Sequence, residues 1–206
     1  SGLPLDQALK ARIFDPLKMV DTGFSVREDQ RSRFAACYEA APGGKMKLQD
    51  DPTTSPYLAP PKLLSGGGGL VGTAADYLRF ATMLTNRGEL DGARILAPKT
   101  VDLMASNHLP GGKDLTELSR SLFSESTNAG VGFGLGVAVV FDAPQTLIPC
   151  SDGEFYWGGA ASTAFWCDPL EQVTAVFMTQ LLPSSTYPIR RELRTLTYAA
   201  LMETFG

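Results

Sequence analysis

The 206 residues carry a formal net charge of −4, with 44% hydrophobic and 19% charged side chains. That balance describes an ordinary globular chain, and its acidity argues against nucleic acid or an anionic membrane as partner, since either calls for a basic patch. No apolar run approaches the roughly 20 residues that span a bilayer.

The length allows one large domain or two small ones. Three cysteines, Cys37, Cys150 and Cys167, show no C-x-x-C spacing and read as free thiols in a reducing compartment. A cytoplasmic location is therefore expected, with the periplasm as the alternative. One histidine and no cysteine pair argue against a metal site. The first residues, SGLPLDQALK, run straight into a helix without an initiator Met, which reads as a cut inside a longer polypeptide.

In chain order, Leu5, Leu9 and Ile13 recur at helical spacing, Pro4 suits a first turn and Pro16 ends the pattern. RFAACYEA and GKMKLQ flank APGG and are expected to pair as a hairpin. A Pro-, Ser- and Gly-rich irregular loop follows, up to SGGGG. Thr73 then caps a helix, with Asp76 at the capping-box position, Tyr77, Phe80, Ala81 and Leu84 as its apolar stripe, and Gly88 as its stop. ELDGARIL is a turn between elements. Pro98 opens another helix with Val101 and Met104 or Ala105 facing inward, and residues 107–128 make a polar surface excursion.

From residue 129 the character changes. In GVGFGLGVAVVFD, Gly130, Gly132, Gly134 and Gly136 alternate, which puts them on one face of an extended strand open to close approach by a helix or neighbouring chain. A dinucleotide loop is rejected, because G-x-G-x-x-G should open a helix and VAVVF is β-like. EFYWGG, STAFWCDP and QVTAVFMTQ read as further strands, antiparallel because short turns separate them. The chain closes on a helix with Ile189, Leu193, Leu196 and Ala200 on one side. The order predicts an α+β fold, in which an antiparallel sheet (129–206) is covered by the C-terminal helix and joined to a helical, loop-rich region (1–128).

Few residues offer chemistry by themselves. His108, just past a helix, fits a surface or capping role better than a catalytic triad. Ser151-Asp152-Gly153 reads as turn chemistry. No serine is followed three residues later by lysine. Trp157-Gly158-Gly159 interrupts a strand, either as a hairpin with an aromatic plug or as a place where a ligand approaches the backbone closely. Ser65–Leu70, with Gly67 and Gly68, is either a flexible loop ahead of a capped helix or a glycine-lined pocket wall. It lacks the G-K-[ST] ending of a phosphate loop, and no cofactor is expected. Arg190 and Arg191 read as solvated charge more readily than as anion ligands.

The stretches ALKARIFDPLKMVDTGFSV, SGGGGLVGTAADYLRFATMLTNRGELDGARILAPKTVDLM, GVGFGLGVAVV and GEFYWGGAASTAFWCDPLEQVTAVFMTQ together resemble the C-terminal half of serine β-lactamase-like hydrolases, most of all the family VIII carboxylesterases. The resemblance implies a β-lactamase-like fold and hydrolysis of small esters through an acyl-serine intermediate. The nucleophile of the S-x-x-K motif and the catalytic tyrosine would come from an N-terminal portion preceding these residues, so the segment alone is not expected to turn over ester. Trp157, Gly158 and Gly159 match the family's third motif, K-T-G in β-lactamases, and Ala160 after it would give its backbone N–H to the oxyanion hole. Removing one such donor typically costs about 3 to 4 kcal/mol of transition-state stabilisation. Trp157 in place of the motif's lysine suits a neutral ester better than an anionic lactam. The glycines would leave the acyl group room to slide along the strand, and Gly67 and Gly68 would wall the pocket. The rival readings are a β-lactamase, D-aminopeptidase or acyltransferase on the same scaffold, or a non-catalytic ligand-binding domain.

Overall fold

The computed structural model describes residues 2–118 and 128–205. Helix α1 (Leu5–Leu9) passes into a π-helical turn, Lys10–Phe14, which buries Phe14 at its end. The expected hairpin forms from β1 (Cys37–Ala41) and β2 (Lys45–Asp50), with Gly43 and Gly44 at positive φ in the turn. Helix α2 (Ala74–Thr85) begins where Thr73 Oγ1 accepts the Asp76 N–H at 3.2 Å. The Asp76 side chain does not close the capping box. It is buried and accepts instead from Asp21 N (2.7 Å) and Thr22 Oγ1 (2.8 Å), tying the helix start to the preceding chain. The tight hairpin of β3 (Glu89–Leu90) and β4 (Ala93–Arg94) turns on Asp91 and Gly92, both at positive φ as the favoured two-residue turn requires. Helix α3 (Pro98–Met104) buries Val101, and the short α4 (Leu115–Leu118) falls within the expected polar excursion, of which residues 119–127 lie outside the described residues.

The main sheet holds β5 (Val131–Phe133), β6 (Ala138–Val140), β7 (Phe155–Gly158), β8 (Ala164–Asp168) and β9 (Val173–Phe177) in sequence order, every pairing antiparallel. A short helix, α5 (Ala143–Thr146), links β6 to β7. Strand β10 (Leu181–Leu182) leaves the main sheet and pairs in parallel with β1, a long-range contact that no local pattern announces. Helix α6 (Ile189–Ala199) closes the described chain.

The glycine run departs from the expected single strand. It folds into the β5–β6 hairpin, with Gly134 N bonded to Val137 O at 2.8 Å and Gly136 at φ 91° in the connection. Close approach does occur, at Gly132 and Gly134, where a Cβ would collide with the Asn107 side chain and the Met104 carbonyl of the segment leaving α3.

One face of the main sheet carries the apolar core. Phe155, Phe165 and Cys167 pack with Ala81, Met83 and Leu84 of α2 and with Phe14, Leu17 and Met19. The other face meets α6, and in an unexpected way. Leu196 is 66% exposed and Ala200 is exposed, so half of the apolar stripe of α6 faces solvent, while Ile189 and Leu193 are half-buried. The side chains that reach inward are Arg190, Arg194 and Tyr198, four residues apart on one helix face.

Candidate active site

Strand β7 outruns its neighbour β6, whose pairing stops at Tyr156 opposite Ala138, and then turns through residues 159–163 into β8. The turn is held from within: Gly159 N donates to both Thr163 O and Thr163 Oγ1 at 3.1 Å, and Ser162 N donates to Gly159 O at 3.1 Å. It is also fastened to β10, through Ser162 Oγ to Leu181 O (2.6 Å) and Leu181 N to Ala161 O (3.2 Å).

A cavity of about 560 Å³ opens along this strand end. Trp157, Gly158, Gly159 and Ala160 all line it, so the structure brings four of the six sequence-derived site residues together. Trp157 is 47% exposed and stands edge-on to Phe133, ring centres 5.0 Å apart, which makes it a wall of the cavity and not a core plug. Leu109, Ile148 and Phe165 continue the apolar lining, and Arg190, Arg191 and Arg194 of α6 line the cavity as well. Among the described residues nothing accepts a hydrogen bond from the Ala160 N–H, and Ala160 itself is exposed. Gly67 and Gly68 do not reach the cavity. They lie in an exposed loop, where Gly67 N contacts Ser65 Oγ and Gly68 O accepts from the Tyr57 hydroxyl.

Gly158 has a second partner. A Cβ there would meet the Arg190 guanidinium at 2.7 to 2.8 Å, and one at Gly159 would meet Thr163 Oγ1 at 2.5 Å. The room left by Gly158 is thus filled by arginine on the α6 side. Arg190, expected to be solvated, is half-buried and donates through Nη2 to Gly159 O (2.6 Å) and Thr163 O (3.1 Å), and through Nε to Thr163 O (3.2 Å). Arg191 donates to Leu147 O at 2.8 Å.

Beneath this layer lies a polar cluster that sequence reasoning missed. Glu154, fully buried just before β7, pairs with Arg194, which also stacks over the Tyr156 ring at 4.6 Å. The Tyr198 hydroxyl sits 2.5 Å from Glu154 Oε2 and 2.7 Å from Asp168 Oδ2. The single phenol hydrogen is therefore shared between two carboxyl groups. Burial above all, with the Asp168 charge adding, pushes Glu154 up to about 7 against the lowering pull of the Arg194 charge and the Tyr198 hydrogen bond. The signal available was the i, i+4, i+8 recurrence of Arg190, Arg194 and Tyr198, a polar stripe beside the apolar one.

The remaining candidates settle outside this site. His108 is exposed, its Nε2 2.8 Å from Leu103 O, a helix-end contact. Ser151-Asp152-Gly153 is a turn, with Gly153 at φ 90° and Asp152 accepting from Ala143 N. All three cysteines are free thiols. No helix among the described residues is long and apolar enough to cross a membrane.

Known proteins resemble this chain in sequence and in fold. Protein Rv1367c of Mycobacterium tuberculosis is 34% identical over 183 residues, covering 87% of this chain and 44% of the relative. Esterase EstB of Burkholderia gladioli is 26% identical over 97% of this chain and 50% of its own length. Among solved structures, EstCE1, described as a hydrolase with promiscuous acyltransferase activity, superposes with a TM-score of 0.75 at 25% identity, covering 96% of this chain and 51% of that one. A mutant of simvastatin synthase from Aspergillus terreus gives 0.74 at 25%, covering 97% and 50%. The chain spans about half the length of these relatives. Residues 1–199 match the Beta-lactamase family profile, and with the antiparallel sheet, its helices and the β7 cavity in place, the chain belongs to the beta-lactamase family.

Proposed function

We propose that this chain forms the acyl-pocket half of a serine carboxylesterase that hydrolyses small neutral esters. The observation that carries the reading is Ala160, an exposed residue whose N–H has no internal acceptor among the described residues, at the end of a strand that borders a largely apolar cavity. A backbone N–H so placed can bind the oxygen of a tetrahedral intermediate, the task of an oxyanion hole. Trp157 and Phe133 give the strand end aromatic walls, which favour a neutral acyl group there, while Arg190, Arg191 and Arg194 line the α6 side of the same cavity. No S-x-x-K occurs in these residues, so the nucleophile, its lysine and the catalytic tyrosine would lie on polypeptide outside them. Hydrolysis would then run through an acyl-serine, with Ala160 and the nucleophile's own N–H sharing the oxyanion.

Esterase EstB and the hydrolase EstCE1 support the ester assignment. The acyltransferase activity in the description of EstCE1 favours one second reading, transfer of the acyl group to an alcohol in place of water. Steady-state kinetics on the full-length protein decide between the substrates. The proposal expects kcat/KM for p-nitrophenyl acetate or butyrate to exceed that for nitrocefin by at least about tenfold, which is 1.4 kcal/mol of transition-state preference. A clear preference for nitrocefin contradicts the argument from Trp157. Adding an alcohol and measuring transester product against free acid separates transfer from hydrolysis.

A further inference from the structure

We infer that Arg190 is a positioning residue for the proposed oxyanion donor, acting through the peptide that joins Gly159 to Ala160. The inference rests on the esterase reading of the same site and adds a residue on another element to it.

The Gly159 carbonyl and the Ala160 N–H belong to one peptide unit. That unit is trans, since the sole cis bond among the described residues is Leu182–Pro183, and a planar trans peptide points its C=O and N–H in opposite directions. Arg190 Nη2 holds the oxygen end at 2.6 Å, so the N–H end is turned away from the guanidinium. The same side chain grips Thr163 O through Nε and Nη2, and Thr163 O also receives the Gly159 N–H. One planar, permanently charged fork therefore clasps both ends of the β7–β8 turn from α6. A cation bonded to the carbonyl also polarises the peptide and makes its N–H a stronger donor.

The sequence is adapted to this contact. A Cβ at residue 158 would lie 2.7 Å from the guanidinium carbon, so the motif's middle glycine is needed for Arg190 to cross the strand. The thinness of the strand thus serves the arginine directly and the substrate through it.

The test uses the full-length protein. Replacing Arg190→Met is expected to lower kcat for p-nitrophenyl acetate about 10- to 100-fold with KM changed by less than about twofold, because donor alignment is felt in the transition state. Arg190→Lys, which cannot fork to two carbonyls, should recover part of the loss. Gly158→Ala should reproduce the Arg190→Met defect by pushing the guanidinium aside, and the double variant should be no worse than either single one. Equal losses that simply follow a lowered melting temperature, or additive ones, overturn the assignment.

A second readout does not depend on turnover. The Ala160 amide nitrogen resonance should move upfield in Arg190→Met and in Gly158→Ala. An unmoved resonance refutes the clamp even if the ester assignment stands. Absence of ester turnover by the wild-type protein, with the resonance shifting as expected, refutes the ester assignment and leaves the clamp in place.

Discussion

The two faces of the main sheet are held by different physics. On the α2 face, Phe155, Phe165 and Cys167 lie against Ala81, Met83 and Leu84, and the contact is apolar packing that gains with every methylene removed from water. On the α6 face, the helix is fastened by Arg190 to backbone carbonyls, by Arg194 to Glu154, and by Tyr198 to Glu154 and Asp168, while Leu196 points to solvent. Apolar packing is non-directional and sets how firmly the layers adhere. The hydrogen-bonded face is directional and sets where particular atoms sit, and those atoms include the peptide that ends in the Ala160 amide.

That contrast breaks most readily at its strongest points. Phe155→Ala, in the packed face, should cost about 3 to 5 kcal/mol in unfolding free energy measured by denaturant titration. A loss below about 1 kcal/mol would show that this face is not the stabilising one. Arg194→Leu at pH 8 should cost a comparable 3 kcal/mol or so, because it strands the Glu154 carboxylate in the interior. Here the variant should be distinctly less impaired at pH 5, where Glu154 is neutral.

The pH dependence sharpens the comparison further. Glu154 titrates near 7 in the folded protein against an ordinary 4.5, so the folded state keeps a proton that the unfolded chain has released. Its contribution is full below about pH 4.5 and is lost as pH rises through 7, a change of roughly 3 kcal/mol at most. Relative to Glu154→Gln, the wild-type protein should therefore lose stability between pH 5 and pH 8. Parallel curves would mean that Glu154 is ionised throughout. Smallest of all, Leu196→Gln should change stability by less than about 0.5 kcal/mol, since the side chain is exposed; a larger loss would show that its stripe is packed.

The parts legible in the sequence were those governed by local periodicity and turn chemistry. The α2 stripe, the Asp91-Gly92 turn and the β7–β8–β9 meander follow from residues close together in the chain. The parallel β1–β10 pair was not legible, because it joins residues about 140 positions apart through backbone alone. Nor was the hairpin in the glycine run, since alternation at period 2 cannot tell one long strand from two short ones around Gly136. On α6, hydrophobicity pointed to Leu193 and Leu196, yet Leu196 faces solvent and the charges reach inward to Glu154 and to the Gly159 and Thr163 carbonyls. The candidate site was legible as far as Trp157–Ala160, the strand end that lines the cavity. Its support was not, because a glycine shows only that something comes close, and does not show that the visitor is Arg190.

The most direct test of the account is the structure of the full-length protein carrying a phosphonate ester bound to the proposed nucleophilic serine. The account predicts a phosphoryl oxygen about 2.7 to 3.1 Å from the Ala160 amide nitrogen, with the organic group along Trp157 and Phe133. A phosphoryl oxygen directed elsewhere, with the Ala160 N–H bonded to another protein group, would contradict it.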